Sequence, residues 1–375
     1  MKIAFCDNRL GGLLGFRIDV IKHLVSQGHE VCLIAPPATT DWDKVGEQPP
    51  QGVRVFEVDM QPSGKNPFSD VLLFLQYLRI FRRERPDVVF NYTIKPNIYS
   101  SIAASVCGCR VICMIAGLGF LIDSDGWVKK IGFRLYRYGL SKAEKVLVLN
   151  KMNYDHLIAR KMVSASKLLL LKGGEGVNLG YYRRQPVDYT SGVTFLMVSR
   201  LLYDKGYTEF VDAARMLKGK YANVCFEILG PEAFNSPMGV PKEVLERDCR
   251  EGVFSYLGVS NNSRSFVSRK NVVMVLPSKY GEGLNRSLME ACAIGRPVIT
   301  TDIPGCKETV DEGVNGFLVP KGDASALAEA MKRFVLLTED EKRTMAEHSH
   351  QIAVGRFDIE YVINTYDELI GHSPC

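Results

Sequence analysis

The sequence has few of the features that mark secreted, metal-binding or membrane-spanning proteins. Its 10 cysteines form no C-x-x-C pair and no cluster with its 6 histidines at ligand spacing, which argues against a disulfide framework and a zinc site. No segment approaches the ~20 consecutive apolar residues that a transmembrane helix needs, and the apolar run at the N-terminus is too short for a signal peptide. We therefore expect reduced thiols and a cytoplasmic protein.

The chain also lacks a large excess of charge of either sign. The 47 basic and 42 acidic residues leave a net charge of +5, so we expect no nucleic-acid partner. The basic residues concentrate in the first half of the chain, at residues 79–85 and 129–145. A length of 375 residues, 46% of them hydrophobic, favours a globular protein of about two domains.

What the chain does contain is a regular alternation of short apolar strands and amphipathic helices. Residues 2–6 predict a strand, 11–15 a glycine loop, 16–25 a helix and 30–35 a second strand, which together make a βαβ unit. The same alternation continues to residue 171. It predicts a parallel sheet with helices on both faces.

Residues 172–191 break this pattern and are typical of an inter-domain linker, after which the alternation restarts. We predict an α/β fold of two facing Rossmann-like domains, each a doubly wound parallel sheet. The first should span residues 1–185 and be completed by a C-terminal helix at 357–373, and the second should span residues 186–356.

Two loops are candidate binding sites. Gly11-Gly12-Leu-Leu-Gly15 follows the first strand, and its glycines suit either a tight turn or a substrate-lining loop; the spacing does not fit a dinucleotide fingerprint. Arg200 and Lys205 follow the first strand of the second domain, where open α/β sheets bind ligands. Two cations there suit a diphosphate, although solvated surface charge is an alternative.

The most specific pattern runs from Glu282 to Glu290. Glu282 lies between glycines after a strand, and Asn285 or Ser287 can cap the helix that follows. Apolar neighbours place Glu290 at the edge of a buried surface. The first turn of this helix could receive a phosphate, with one carboxylate on each side of it to accept hydrogen bonds from hydroxyls.

This run resembles the E-x7-E signature of GT-B glycosyltransferases of the group 1 (family 4) type, and Arg200 with Lys205 is similar to the phosphate-binding pair of that family. Residues 92–99 and 117–120 resemble the branch that extends undecaprenyl-diphosphate-linked glycans for capsule, O-antigen or N-glycan assembly. The resemblance covers essentially the whole chain. It implies a retaining transferase that takes a nucleotide sugar, expected to be a UDP-sugar, and requires no metal or other cofactor.

The resemblance also implies residue roles. Arg200 and Lys205 would hold the diphosphate, Glu282 the hydroxyls of the donor sugar and Glu290 the ribose, with Glu282, Arg200 and Lys205 forming the catalytic group. The remaining donor-binding residues would be Gly283, Leu284, Asn285 and Ser287. The acceptor-side residues would be Gly11, Gly12, Arg17, Thr93, Lys95, Asn97, Gly117 and Gly119.

Three features depart from the family pattern or fall outside it. Many relatives carry a histidine at the end of the fourth strand, where this chain has Asn91 and Tyr92. Arg286 replaces an apolar residue and is expected to be solvated. Asp123 and Asp125 spell the D-x-D of metal-dependent transferases but follow no nucleotide-binding strand, so we assign them no metal.

The segment 127–145 combines aromatic and basic residues at helical spacing. Trp127, Ile131 and Tyr138 share one helical face, and Arg134 and Arg137 lie beside it. Such a helix could contact anionic headgroups, or it could simply pack on the sheet. Both interpretations stay open.

We therefore predict transfer of a hexose or N-acetylhexosamine from a nucleotide donor to a polyprenyl-diphosphate-linked saccharide. The expected partners are a UDP-sugar, a lipid-linked acceptor and an anionic membrane, at the inner face of the plasma membrane. A nucleotide-sugar epimerase or hydrolase on the same fold is one alternative. A non-catalytic sugar-binding protein is another.

Overall fold

The computed structural model describes residues 1–37, 48–61, 66–117, 127–234, 236–281 and 283–371, and the side chains of residues 127–130 are not described. The chain divides into two compact units. Unit 1 comprises Met1–Glu175 and Ile359–Cys375, and unit 2 comprises Gly176–Asp358.

Unit 1 is built on a parallel sheet of seven strands in the order β3-β2-β1-β4-β5-β6-β7. The strands are β1 Lys2–Cys6, β2 Glu30–Ala35, β3 Arg54–Glu57, β4 Val88–Tyr92, β5 Arg110–Ile115, β6 Lys145–Val148 and β7 Leu168–Leu170. The helices are α1 Leu10–Phe16, α2 Ile18–Ser26, α3 Pro67–Glu84, a π-helical turn Pro96–Ser100 leading into α4 Ser101–Val106, α5 Trp127–Ser141, α6 Lys151–Ala159 and α13 Ile359–Gly371. Two apolar clusters, one on each face of the sheet, form the core.

Unit 2 repeats this plan with six parallel strands in the order β10-β9-β8-β11-β12-β13. The strands are β8 Val193–Val198, β9 Val224–Leu229, β10 Ser255–Tyr256, β11 Val272–Leu276, β12 Val298–Thr301 and β13 Gly316–Val319. The helices are α7 Tyr207–Leu217, α8 Lys242–Arg250, α9 Ser263–Val267, α10 Arg286–Ile294, α11 Ala324–Val335 and α12 Glu339–Arg356. Nearly every residue of β11 and β12 is buried, which is why these strands are uniformly apolar or carry only Thr.

The structure corrects the predicted linker and the boundary at residue 185. The chain leaves unit 1 after Glu175, whose carboxylate binds Arg17 within that unit. The Val177 amide then donates to the carbonyl of Phe357, and the Gln185 amide donates to that of Ile294. Residues 176–191 therefore belong to unit 2, because their backbone groups are satisfied there.

The predicted glycine loop at 11–15 is also wrong, because Gly11, Gly12 and Gly15 lie inside α1. Helical Gly12 packs against a carboxylate: a Cβ at this position would lie 3.3 Å from Asp7 Oδ2. The glycine there allows α1 to approach the end of β1 closely. The helix predicted at 357–373 is α13, and it begins at Ile359.

Candidate active site

The candidate donor site lies at the carboxyl ends of β8 and β11. These strands pair in parallel at the centre of the unit 2 sheet, and the chain continues from β8 to β9 on one side and from β11 to β12 on the other. This is the topological switch point of the sheet, where the loops after two neighbouring strands diverge and leave a crevice.

The loop after β8 carries both predicted cations. Arg200 is exposed and Lys205 is partly exposed at the end of a 3-10 turn. Gly206 follows with φ of +85°, and a Cβ there would come within 2.0 Å of the carbonyl oxygen of Pro277. Only glycine permits this close approach, which holds the loop against the segment after β11.

Hydrogen bonds to backbone carbonyls join the same two segments. The Lys279 amide donates to the Asp204 carbonyl at 2.7 Å, and Ser287 Oγ donates to the Val198 carbonyl at 3.2 Å. The Lys279 ammonium lies 2.9 Å from Glu209 on α7. The segment leading to α10 is therefore fixed beside the loop that carries Arg200 and Lys205.

Asn285 caps α10; the sequence had left the choice between Asn285 and Ser287 open. Its side-chain oxygen accepts the Leu288 amide at 3.1 Å and the Ser287 hydroxyl at 2.8 Å. Gly283 is buried and Leu284 packs on the apolar core, so the turn before the helix is held from inside. Glu282 lies outside the described residues.

Glu290 lies one turn inside α10, at the edge of the buried surface as predicted. Its side chain is 15% exposed, and Arg286 Nε donates to its Oε1 at 2.9 Å. Arg286 is equally buried, so the expectation that it is solvated is wrong. The Tyr182 hydroxyl bonds to Glu290 as well; burial and this carboxylate hold the pKa of Tyr182 well above its usual range.

In unit 1, a buried group of charges lies at the carboxyl end of β1. Arg17 donates to Glu175 Oε1 at 2.7 Å, and its guanidinium stacks over the Tyr92 ring at 4.5 Å. Asp7, 6% exposed, follows β1 directly. Burial raises the pKa of Asp7 to about 6, although the charge of Arg17 lowers it.

The sequence interpretation did not name Asp7, Glu175 or Tyr182, and it did not expect the pairing of Arg286 with Glu290. For Asp7 the available signal was an acidic residue immediately after the first strand of a Rossmann-like sheet, at the edge where ligands bind. For Arg286 it was the four-residue spacing to Glu290, which places the two side chains on one helical face.

The other acceptor-side residues fall into two groups. Gly11, Thr93 and Gly117 follow β1, β4 and β5, neighbouring parallel strands, so they lie at one edge of the sheet. Lys95 is instead paired with Asp70 at 2.7 Å, and fully buried Asn97 donates to the Met114 carbonyl at 2.9 Å. Gly119, Asp123 and Asp125 lie outside the described residues.

Within the described ranges, no group of three or more His, Cys, Asp or Glu side chains is arranged to hold a metal ion. In the same ranges, no helix is both long and apolar enough to cross a bilayer.

Two Rossmann-like units, with cations at the switch point of the second, form the arrangement of GT-B glycosyltransferases, and the activity has to be argued from more than the fold. Residues 182–350 match the family described as glycosyl transferases group 1, and residues 19–174 match the glycosyl transferase 4-like domain. The chain belongs to the group 1 glycosyltransferases. It is therefore an enzyme, and the sugar-binding and epimerase or hydrolase alternatives are set aside.

Characterised relatives share this assignment across most of the chain. A Campylobacter jejuni N,N'-diacetylbacillosaminyl-diphospho-undecaprenol alpha-1,3-N-acetylgalactosaminyltransferase is 26% identical over 98% of each chain. An Escherichia coli UDP-Gal:alpha-D-GlcNAc-diphosphoundecaprenol alpha-1,3-galactosyltransferase is 22% identical over 82% of this chain and 81% of its own. Anabaena HepE, crystallised with UDP, superposes over 100% of both chains with a TM-score of 0.80 at 21% identity, which supports the fold.

Proposed function

We propose that this glycosyltransferase moves a hexose or N-acetylhexosamine from a UDP-sugar to a saccharide carried on a polyprenyl diphosphate, with retention of anomeric configuration. The observation that carries the proposal is the junction at the switch point of unit 2, where Arg200, Lys205 and the start of α10 are held together. The two bacterial relatives support the acceptor, because their names specify undecaprenol-linked diphospho-sugars.

The proposed chemistry is electrostatic. Departure of the sugar leaves negative charge on the nucleotide diphosphate, and Arg200, Lys205 and the first turn of α10 would stabilise that charge. Glu282 would accept hydrogen bonds from donor-sugar hydroxyls, and Glu290 from the ribose. The Arg286 and Tyr182 contacts to Glu290 fix the direction of its carboxylate.

A donor screen tests this function directly. Purified protein is incubated with each of a panel of UDP-sugars and an extracted polyprenyl-diphosphate-linked saccharide, and the mass of the product is measured by mass spectrometry. We expect the acceptor mass to rise by one hexose or N-acetylhexosamine for one donor. Equal release of UDP with and without acceptor would contradict the proposal and favour donor hydrolysis.

Two further parts of the proposal have their own tests. We propose that no metal is needed, since cations of the chain itself meet the diphosphate; EDTA should then leave the rate unchanged. Nuclear magnetic resonance of the product gives the anomeric configuration, which should match that of the donor. We also propose that the enzyme works as a peripheral protein on the inner face of the plasma membrane, where lipid-linked acceptors are accessible.

A further inference from the structure

The outward face of α3 is apolar over its first two turns. Phe68 is 80% exposed, Val71 58%, Leu72 59% and Leu75 49%. Their spacing of three and four residues places them on one side of the helix. Four adjacent large apolar side chains on a surface mark an interaction site more often than isolated ones do.

This apolar face is held firmly in place. The Asn66 side chain caps the helix by accepting the Phe68 amide at 3.0 Å. Asp70 is bound from outside the helix by Lys95 Nζ and by the Tyr99 hydroxyl, each at 2.7 Å. The opposite face buries Leu73, Tyr77, Ile80 and Phe81 in the core. The exposed residues therefore belong to a packed helix and not to a fraying end.

The same outward face becomes basic in its second half. Arg79 and Arg82 are exposed and continue the three- and four-residue spacing from Leu75. No carboxylate of the described ranges forms an ion pair with either of them. Arg83, in contrast, is bound to Glu84 and stacks over Phe56.

Neighbouring helices extend this surface. The buried sides of α3, α4 and α5 share one apolar cluster, so the three helices form one layer on the sheet. At the end of α4, Val106 is 62% exposed. On α5, Ile131 and Tyr138 are about half exposed.

We propose that the outward face of α3 is the membrane-docking surface of this enzyme, and that it lies in the interface of an anionic bilayer. Phe68, Val71, Leu72 and Leu75 would enter the acyl-chain boundary, and Arg79 and Arg82 would bind lipid phosphates. An apolar stripe with unpaired arginines and no exposed carboxylate among its described residues suits this partner. A second copy fits less well, because the described residues of this face offer no carboxylate to pair with Arg79 and Arg82.

This docking surface rests on the proposed function, because membrane binding serves an enzyme whose acceptor is lipid-linked. It also assigns the main contact to α3, whereas the sequence analysis considered the segment 127–145 and left its role open. In that segment the structure buries Tyr136 and Leu140 and leaves Arg134 and Arg137 exposed, so α5 packs on the sheet while its basic edge stays accessible.

The test is cosedimentation of the full chain with vesicles of phosphatidylcholine, with and without phosphatidylglycerol. The apolar variant is Phe68→Ser/Leu72→Ser/Leu75→Ser, and its matched control in unit 2 is Met216→Ser/Leu336→Ser/Val354→Ser, all exposed apolar positions. The basic variant is Arg79→Gln/Arg82→Gln, and its control is Lys220→Gln/Arg250→Gln, both exposed.

We expect the apolar variant to lower partitioning on both vesicles at least about tenfold. The basic variant should lower it about fivefold per arginine on anionic vesicles only, and should weaken its salt dependence. Both controls should bind like the wild type. The basic variant changes no apolar contact, so it tests the surface even if the apolar variant folds poorly.

Wild-type partitioning of both variants would overturn the proposal. If the wild type is a dimer and the apolar variant is a monomer with unchanged vesicle binding, the outward face of α3 is a self-association surface instead. Two transfer assays distinguish a failure of the docking surface from a failure of the proposed function. The basic variant should keep transfer to a short-chain, water-soluble acceptor and lose transfer to an acceptor embedded in vesicles. If the wild type transfers to neither acceptor, the proposed function fails, while vesicle binding still decides the docking surface.

Discussion

Arg286 and Glu290 form an ion pair one helical turn apart on α10, with 2.9 Å between Nε and Oε1. The carboxylate proposed to hold the donor ribose is thus positioned before any donor arrives. Preorganised polar groups reduce the cost of ordering a site on binding, so the pair gives Arg286 a positioning role.

We expect Glu290→Ala to lower kcat/KM about 10²-fold and Arg286→Leu about tenfold, because the second change frees the carboxylate without removing it. Arg286→Lys should recover part of the loss. Steady-state kinetics over a range of donor concentrations check this, with melting temperatures as the fold control. Equal losses for the two single changes would contradict a positioning role for Arg286.

Glu282→Gln keeps the shape of the side chain and removes its charge. If this carboxylate binds donor-sugar hydroxyls, the change should lower kcat about 10²-fold and leave the affinity for UDP itself nearly unchanged. Turnover measured beside calorimetry with UDP separates these effects. Wild-type turnover would contradict the E-x7-E assignment.

Arg200→Ala and Lys205→Ala should each weaken UDP binding about tenfold or more, since each removes a charge-assisted contact to the diphosphate. Arg250→Ala, an exposed position on α8, is the matched control. Calorimetric titration with UDP and with uridine measures the effect. Both variants should bind uridine like the wild type, and unchanged UDP affinity would place the diphosphate elsewhere.

Asp7 predicts a stability that depends on pH. Its folded pKa of about 6 lies above the usual 3.8, so the ionised carboxylate destabilises the fold above about pH 6. That penalty falls as the pH drops through the folded pKa towards the unfolded one. Asp7→Asn should therefore raise the free energy of unfolding by about 3 kcal/mol at about pH 7.5, and by only about 1 kcal/mol at about pH 4.5. Urea unfolding at both pH values measures it, and a difference that does not change with pH would contradict the prediction.

The strands were predictable from sequence for a physical reason. β1, β4, β8 and β11 are buried on both faces, so each appears as a short, nearly continuous apolar run between polar turns. The strands predicted at residues 2–6 and 30–35 are present as β1 and β2. The sequence placed Arg200 after the first strand of the second domain, but chain order does not show that β11 pairs with β8. The structure shows this pairing, and with it the switch point.

Local composition misled where tertiary contacts decide the structure. Three glycines at 11–15 suggested a loop, yet all three lie in α1, where Gly12 packs against Asp7. The polar stretch 172–191 suggested a linker, yet Val177 and Tyr189 are buried in unit 2. The contacts that hold the stretch 176–191 leave no periodic signal, because partners such as Phe357 and Ile294 lie far away in the chain.

The partners of individual side chains in the two sites were also not predictable from sequence in every case. Lys95 was expected on the acceptor side, and its ammonium is paired with Asp70 on α3. The spacing of residues in sequence gives no sign of that pairing. By contrast, Asn285 was predictable as a cap, since capping depends on residues within one turn.

Helix α13 returns to unit 1 after the whole of unit 2 has been traversed. Its Tyr366 hydroxyl bonds to that of Tyr92 at 2.6 Å, and Arg110 donates to the Leu369 carbonyl at 2.7 Å. During synthesis, all seven strands of unit 1 emerge before unit 2, but α13, which covers part of one face of that sheet, emerges only after unit 2 is complete. The half proposed to bind the acceptor is thus the last to mature, and a nascent chain has a donor-binding half before it has an enzyme.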